Sequence, residues 1–214
     1  VRFIYASSAA TYGAGENGYS DDESLLETLV PLNPYGASKQ WFDLWAKEVG
    51  ALKDIVGLKY FNVFGPNEYH KKDMQSMVRK GFLQVRDTGA LNLFKSYKSG
   101  YGDGEQERDF LYVRDAVAMT LFFLEHEDVG GIYNVGSGKA RNWNDLASAV
   151  FKAMNKKMDI NYIEMPESIQ GQYQYHTCAE MQKIRSAGYT ETTASLEEGI
   201  SDYIKNYLIP DKHL

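Results

Sequence analysis

The hydrophobic pattern opens on Arg2–Ser7 (RFIYAS), a short apolar run that ends in small residues and predicts a buried strand. Residues 13–31 are rich in Gly, Asn, Ser, Asp and Glu and read as a long loop, a kind of segment that often carries function. Pro34 stands where a helix can start, and Tyr35–Val49 places Trp41, Phe42, Leu44 and Trp45 at helical spacing, with Gly50 suited to end it. The spacing predicts that Trp41, Phe42 and Trp45 pack this helix onto the core. Ile55–Phe61 (IVGLKYF) is the next apolar run and the next strand. This βαβ order points to a parallel, doubly wound sheet. Ligands of such sheets sit beyond the carboxyl ends of the strands, here Ser7-Ser8 and Asn62-Val63-Phe64-Gly65.

Beyond Pro66 the pattern changes to shorter, mixed elements. Met74–Arg86 predicts a helix, Leu91–Phe94 a short strand, and residues 96–107 a loop rich in Gly, Tyr and charge. Asp109–Val113 predicts a strand, and Asp115–Glu127 a helix with Val117, Leu121, Phe122 and Leu124 turned inward. A strand at Ile132–Val135, a helix at Asn144–Met154 and a strand at Ile160–Glu164 follow, then helices at Ala179–Ala187 and Ser195–Tyr207. The expected fold class is α/β. Residues 1–66 form the C-terminal part of a Rossmann-type doubly wound parallel sheet, and 67–214 a smaller mixed α/β substrate-binding lobe with some segments returning to the first layer.

At 214 residues, 43% hydrophobic and 24% charged, the chain can bury a sizeable core and is not disordered. A net charge of -6 disfavours a nucleic-acid partner, while a phosphate pocket needs only a few local cations. One cysteine, Cys178, cannot form an internal disulfide and fits a reducing cytoplasm. No apolar run approaches the ~20 residues of a membrane span, and no secretory signal pattern is visible. The chain opens Val1-Arg2-Phe3-Ile4-Tyr5, inside the first predicted strand and without an initiator Met, so the expectation is a piece of a longer protein.

The strongest chemical signal is Tyr35-Gly36-Ala37-Ser38-Lys39 at the start of the first helix. Residues i and i+4 share a helix face. An ammonium beside a phenol favours the phenolate, which makes the tyrosine a usable acid/base near neutral pH. Alone, the pair reads more often as a solvated helix face. The preceding strand, however, ends in Tyr5-Ala6-Ser7-Ser8-Ala9-Ala10-Thr11-Tyr12-Gly13, and a serine there can hold a substrate hydroxyl or the tyrosine oxygen.

Ser8, Tyr35 and Lys39 together resemble the hydride-transfer site of the short-chain dehydrogenase/reductase superfamily. NPYGASK (33–39), KYFNVFGP (59–66), RDFLYVRD (108–115) and YNVGSG (133–138) resemble its extended branch, the NAD-dependent epimerase/dehydratase family, which acts on nucleotide sugars. YASSAATYG, YFNVFGPNEYHKKDM and GQYQYHT are similar, more narrowly, to the ADP-heptose 6-epimerase group, and the resemblance runs over essentially the whole chain as that group's C-terminal two thirds.

The resemblance implies Tyr35 as catalytic acid/base, Lys39 as its supporting lysine, Ser8 as the catalytic Ser/Thr, and Lys71 as a second acid/base. It implies cofactor contacts from Tyr35, Lys39, Val63 and Lys71, and substrate contacts from Ser8, Asn62, Asp73, Lys80, Tyr173 and the segment Phe94, Lys95, Ser96, Tyr97. Arg108 matches the arginine at the substrate's diphosphate, for which a guanidinium fork is suited. Asp73 and Lys80 depart from the family's serine and histidine, and the loop from Lys95 to Glu107 is longer than usual. Dehydratases of the family place an Asp-Glu pair after the Ser/Thr; here Ala9 and Ala10 cannot transfer protons, which disfavours elimination and leaves epimerisation.

Other motifs carry less. Gly100–Gly104 reads as a flexible loop, and Gly136-Ser137-Gly138-Lys139 as a tight turn lacking a phosphate-binding fingerprint. His70, His126, His176 and His213 lack metal-ligand spacing, so no metal is expected. No G-x-S-x-G surrounds Ser8 and no G-x-G-x-x-G opens the chain. The expected function is oxidation of ADP-heptose at C6 to a 6-keto sugar and re-reduction on the other face with bound NADP, in lipopolysaccharide inner-core synthesis. The resemblance also implies a cytoplasmic homo-oligomer, a pentamer. The alternatives are another nucleotide-sugar epimerase or reductase, or an inactive substrate-binding fragment.

Overall fold

In the computed structural model, which describes residues 1–213, β1 (Phe3–Ser8) ends on a serine that caps a 3-10 turn over Ala9–Tyr12. A second 3-10 turn, Glu23–Thr28, capped by Asp22, interrupts the loop expected over residues 13–31. α1 (Pro34–Glu48) starts where Asn33 accepts the Gly36 amide, with Pro34 in the first turn, where its missing N–H costs nothing. β2 (Ile55–Tyr60) and β3 (Asn62–Phe64) follow. The helix expected from Met74 starts later: Tyr69–Met74 is a 3-10 segment, and Ser76 caps α2 (Met77–Thr88).

Next come β4 (Leu91–Phe94), β5 (Glu107–Tyr112) and α3 (Val113–Glu125). β6 (Gly131–Val135), β7 (Ala140–Asn142) and α4 (Trp143–Ala153) follow. The chain then runs through β8 (Ile160–Ile163), the short α5 (Glu167–Gln170) and α6 (Gln182–Ser186), and α7 (Leu196–Tyr203), which passes into a π turn, Ile204–Leu208. Capping boxes, Asn142 with Asp145 and Ser195 with Glu198, start α4 and α7.

The expected α/β fold with parallel sheets is observed. β1, β2 and β6 form one parallel sheet, with Ser8 opposite Tyr60 and Val56 opposite Gly131, so β6 joins the sheet that the first βαβ unit begins. β3 pairs parallel with β5, and β5 antiparallel with the short β7. β4 and β8 form a separate parallel pair. Alternation along β2 sends Val56 and Leu58 into a core with Met119 and Phe123 of α3, and sends Lys59 to the side of α1.

Two expected faces are reversed. On α3, Val117 (51% exposed), Leu121 and Leu124 face outward, and Ala116, Met119 and Phe123 are buried; only Phe122 of the expected set leans on the core. The helix begins directly at the end of β5, and that start fixes its rotation, bringing the 116–119–123 stripe onto the sheet. On α1, Trp41 (70% exposed), Phe42 and Trp45 point outward, and the buried positions are Gly36, Gln40, Asp43 and Ala46. The inner face of α1 is polar because β1 and β2 offer it polar partners.

Candidate active site

At the carboxyl end of β1, Ser8 is buried and its Oγ accepts the Ala10 amide at 3.1 Å. α1 begins against the same turn. A Cβ on Gly36 would lie 2.7 Å from the Ala10 carbonyl oxygen, so only glycine permits this approach beside Tyr35. The Tyr35 ring is exposed, and Lys39 Nζ lies 5.8 Å from its centroid while donating to the Ala6 carbonyl at 3.0 Å. Lys39 therefore ties the start of α1 to β1 with its ammonium beside the phenol.

One turn further on, Asp43 is fully buried and accepts from Ser7 Oγ at 2.7 Å and Tyr5 OH at 2.9 Å. It pairs with Lys59 Nζ of β2 at 2.9 Å, and Lys59 also donates to Thr11 Oγ1 at 2.5 Å and lies over the Tyr12 ring. Burial holds the Lys59 pKa below its ordinary value although Asp43 opposes it, and burial with the neighbouring Asp43 charge raises the Tyr5 phenol. This network fixes β1, β2, α1 and the 3-10 turn after Ser8 relative to one another. Sequence reasoning missed it; the signal was a charged residue at the centre of an apolar strand, Lys59 in IVGLKYF.

A cleft of about 450 Å³ opens beyond β3, lined by Val63, Gly65, Glu68, Lys71, Val113 and Arg114, among others. It brings Val63 and Lys71 together. Buried Glu68 accepts both the amide and the hydroxyl of Ser76 (2.6 Å for the latter), which pins the Lys71 turn to the start of α2. Lys72 takes φ +47°, a left-handed conformation that costs a non-glycine residue free energy. Asn62 is exposed on β3. Lys80 Nζ donates to the Asp73 carbonyl at 2.6 Å, so the two positions that depart from the family pattern touch each other.

A third group surrounds Arg108, which is only 6% exposed. Its guanidinium donates to the Glu107 carbonyl at 2.7 Å and lies 4.9 Å from the Tyr173 ring and 5.7 Å from the Trp143 ring. No carboxylate pairs with it among the described residues, and burial holds its pKa below the ordinary value. Trp143 Nε1 donates to Tyr173 OH at 2.9 Å, and Phe94 stands edge-on to Tyr173. Lys95 pairs with Glu164 at 2.5 Å, Tyr97 OH donates to the same carboxylate, and the Ser96 amide donates to Asp103 at 2.8 Å. Trp143 was not foreseen; an aromatic at the first position of α4 had no chemical signature until the fold stacked it on Arg108.

Eight of the sequence-selected residues thus fall into three clusters, Ser8, Tyr35 and Lys39, then Val63 and Lys71, then Arg108, Tyr173 and Phe94; Asn62 is exposed on β3, Asp73 and Lys80 bond to each other, and Lys95, Ser96 and Tyr97 bond to Glu164 and Asp103. No hydrogen bond joins Tyr35 to Lys71 among the described residues. Gly13-Ala14-Gly15-Glu16-Asn17-Gly18 has the G-x-G-x-x-G spacing, but it follows a 3-10 turn and precedes no helix, and the Gly15 and Gly18 amides are bonded to Tyr12 and Gly15 carbonyls. Gly136–Gly138 is a turn closed on buried Asp109, which accepts the Ser137 and Gly138 amides. A second cavity of about 470 Å³, lined by Lys152, Glu197, Asp202 and Lys205, holds none of the selected residues. Among the described residues no helix is long and apolar enough to cross a membrane.

The NAD dependent epimerase/dehydratase family matches residues 1–136. A Nitratidesulfovibrio vulgaris (Hildenborough) protein named ADP-L-glycero-D-manno-heptose-6-epimerase is 51% identical over 215 residues, covering 100% of this chain and 67% of that protein. A Fusobacterium nucleatum protein of the same name is 51% identical over 217 residues, covering 97% of this chain and 65% of its own length. The chain thus spans about two thirds of these curated relatives. The crystal structure of the Helicobacter pylori ADP-L-glycero-D-manno-heptose-6-epimerase superposes with a TM-score of 0.78 at 31% identity, covering 96% of this chain and 59% of that one.

Proposed function

The chain belongs to the NAD dependent epimerase/dehydratase family, and on that premise we propose that it interconverts the C6 epimers of ADP-glyceromanno-heptose by oxidation to a 6-keto sugar and re-reduction. The observation that carries the substrate side is Arg108: a buried guanidinium with no carboxylate partner among the described residues, set among aromatic rings, suits the diphosphate of a nucleotide sugar. The names of the relatives supply the heptose.

The donor set at the carboxyl end of β1, the Lys39 ammonium and the Tyr35 phenol, fits the ribose of a nicotinamide dinucleotide, and Val63, in the cleft with Lys71, offers it an apolar contact. When bound, that group accepts and returns the hydride; we take it to be NADP. Ser8 holds the substrate hydroxyl beside Tyr35. Tyr35 takes the hydroxyl proton on one face and Lys71 serves the other, so that the ketone, presented by its opposite face, is protonated from the other residue. Ala9 and Ala10 leave no side chain to carry the extra proton transfers of a dehydration. The same reading makes the protein a cytoplasmic homo-oligomer, a pentamer.

The test is incubation of the chain with ADP-D-glycero-D-manno-heptose and NADP, with products separated by C6 configuration. The expected result is a mixture of both epimers and no dehydrated sugar. Absence of the second epimer, or a dehydrated product, overturns the reading. Light-scattering mass in solution checks the pentamer, and the nucleotide released on heating checks NADP against NAD.

A further inference from the structure

The long loop between β4 and β5 adds a feature that the motif resemblance does not assign. Tyr101, half-buried, packs on Tyr175 with ring centroids 5.3 Å apart, and Tyr175 packs in turn on Tyr173 at 5.6 Å. The Tyr97 amide donates to Tyr175 OH at 3.0 Å, which anchors the loop to this row of rings. Lys98 Nζ lies over both outer rings, 5.8 Å from Tyr101 and 5.5 Å from Tyr175. The rings thus run from the surface to the buried guanidinium.

The four carboxylates of this region are each bonded to groups other than Lys98 and Arg108. Asp103 takes the Ser96 amide, Glu105 the Gly102 amide, Glu107 the His176 ring and Glu164 the Lys95 ammonium. Among the described residues no carboxylate pairs with Lys98 or with Arg108. Two cations without acidic partners, joined by a continuous aromatic row, are complementary to a ligand that is itself part polyanion and part flat ring.

We propose that Lys98 and Tyr101 are specificity determinants for the nucleotide half of the substrate, Tyr101 and Tyr175 stacking its base while Lys98 joins Arg108 on its diphosphate. This rests on the reading of Arg108 as a diphosphate site. A base on an aromatic ring is held by its π-face, and a neighbouring cation adds to the contact. The loop residues come from a solvent-facing segment, so their replacement leaves the core intact.

The test is calorimetric titration of the chain with ADP and with inorganic pyrophosphate, on the wild type and on Tyr101→Ala, Tyr101→Phe, Lys98→Ala and Arg108→Ala. Tyr101→Ala is expected to weaken ADP at least about tenfold, in line with loss of one base–aromatic stack, and to leave pyrophosphate unchanged. Tyr101→Phe, which keeps the ring, should bind ADP like the wild type, and Lys98→Ala should weaken both ligands. Tyr101→Ala leaving ADP affinity unaltered, or weakening pyrophosphate as much as ADP, overturns the proposal. If Arg108→Ala abolishes ADP binding while Tyr101→Ala does not weaken it, the diphosphate reading stands and only the stacking proposal falls. If the wild type binds neither ligand, both fall.

Discussion

Tyr35 is exposed and its neighbour Lys39 is anchored, a division of labour that follows from where each sits on α1. On the proposed reading, replacing Tyr35 by Phe or Lys71 by Met should each lower epimerisation at least about a hundredfold, with the circular-dichroism melt unchanged because neither side chain is part of the core. Near-normal turnover in either variant contradicts the assigned role. Asp43 behaves differently, because nothing replaces it beside Lys59. Asp43→Ala leaves a fully buried ammonium without its counter-charge and should cost about 3–5 kcal/mol in urea unfolding. Replacing both partners, Asp43→Leu with Lys59→Met, should recover much of that loss. That Tyr35 and Lys39 share a helix face was legible in the sequence from their spacing, and Ser8 was singled out by its place at a strand end and by the resemblance. Asp43 and Lys59 were not, since pairing a helix residue with the central strand is decided only when the strands take their order.

The apolar stripe is a poor guide on both α1 and α3, for different reasons. α1 turns Lys39, Gln40 and Asp43 inward because each meets a polar partner there: the Ala6 carbonyl of β1 for Lys39, the Leu26 carbonyl for Gln40, and the hydroxyls of β1 and the Lys59 ammonium of β2 for Asp43. α3 is apolar nearly all round, so periodicity alone cannot choose its inner face, and the junction at Tyr112–Val113 chooses it. Met119→Ala and Phe123→Ala should therefore each cost about 2–5 kcal/mol, while Val117→Ala and Leu124→Ala should stay within about 0.5 kcal/mol, as urea midpoints will show.

Arg141 of β7 holds two other elements, donating to Glu197 of α7 at 2.7 Å and to Asp145 of α4 at 2.9 Å. The hydrogen bond from Arg141 keeps the Glu197 carboxyl below its ordinary value of 4.5. A folded-state pKa below the unfolded one means that the stabilisation is complete above about pH 4.5 and is lost as pH falls through the folded value. Arg141→Met should flatten that acid limb in urea midpoints followed from pH 6 to pH 3, and an unchanged limb contradicts the pairing.

For the molecule as a whole, the βαβ order at the start was enough to give a parallel α/β fold, because a strand, a helix and a strand at that spacing close in one way. The return of β6 to the first sheet was less legible, since a five-residue buried run does not say which strand it joins. The Arg108 box was readable in part: the resemblance pointed to Arg108, Phe94 and Tyr173, but not to Trp143, and that these residues of β4, α4 and the segment around Tyr173 meet is decided only by the fold. The outward turn of α1 has an optical consequence. Of the three tryptophans, Trp41 and Trp45 are exposed on that helix, and the third, Trp143, stands beside Arg108 with its indole bonded to Tyr173. Iodide or acrylamide should quench the first two and spare the third. A Trp41→Phe, Trp45→Phe protein then emits from a single indole beside Arg108, and on the proposed diphosphate reading its emission should shift when ADP is added and stay still in Arg108→Ala, a direct light signal of occupancy that needs neither hydride transfer nor turnover.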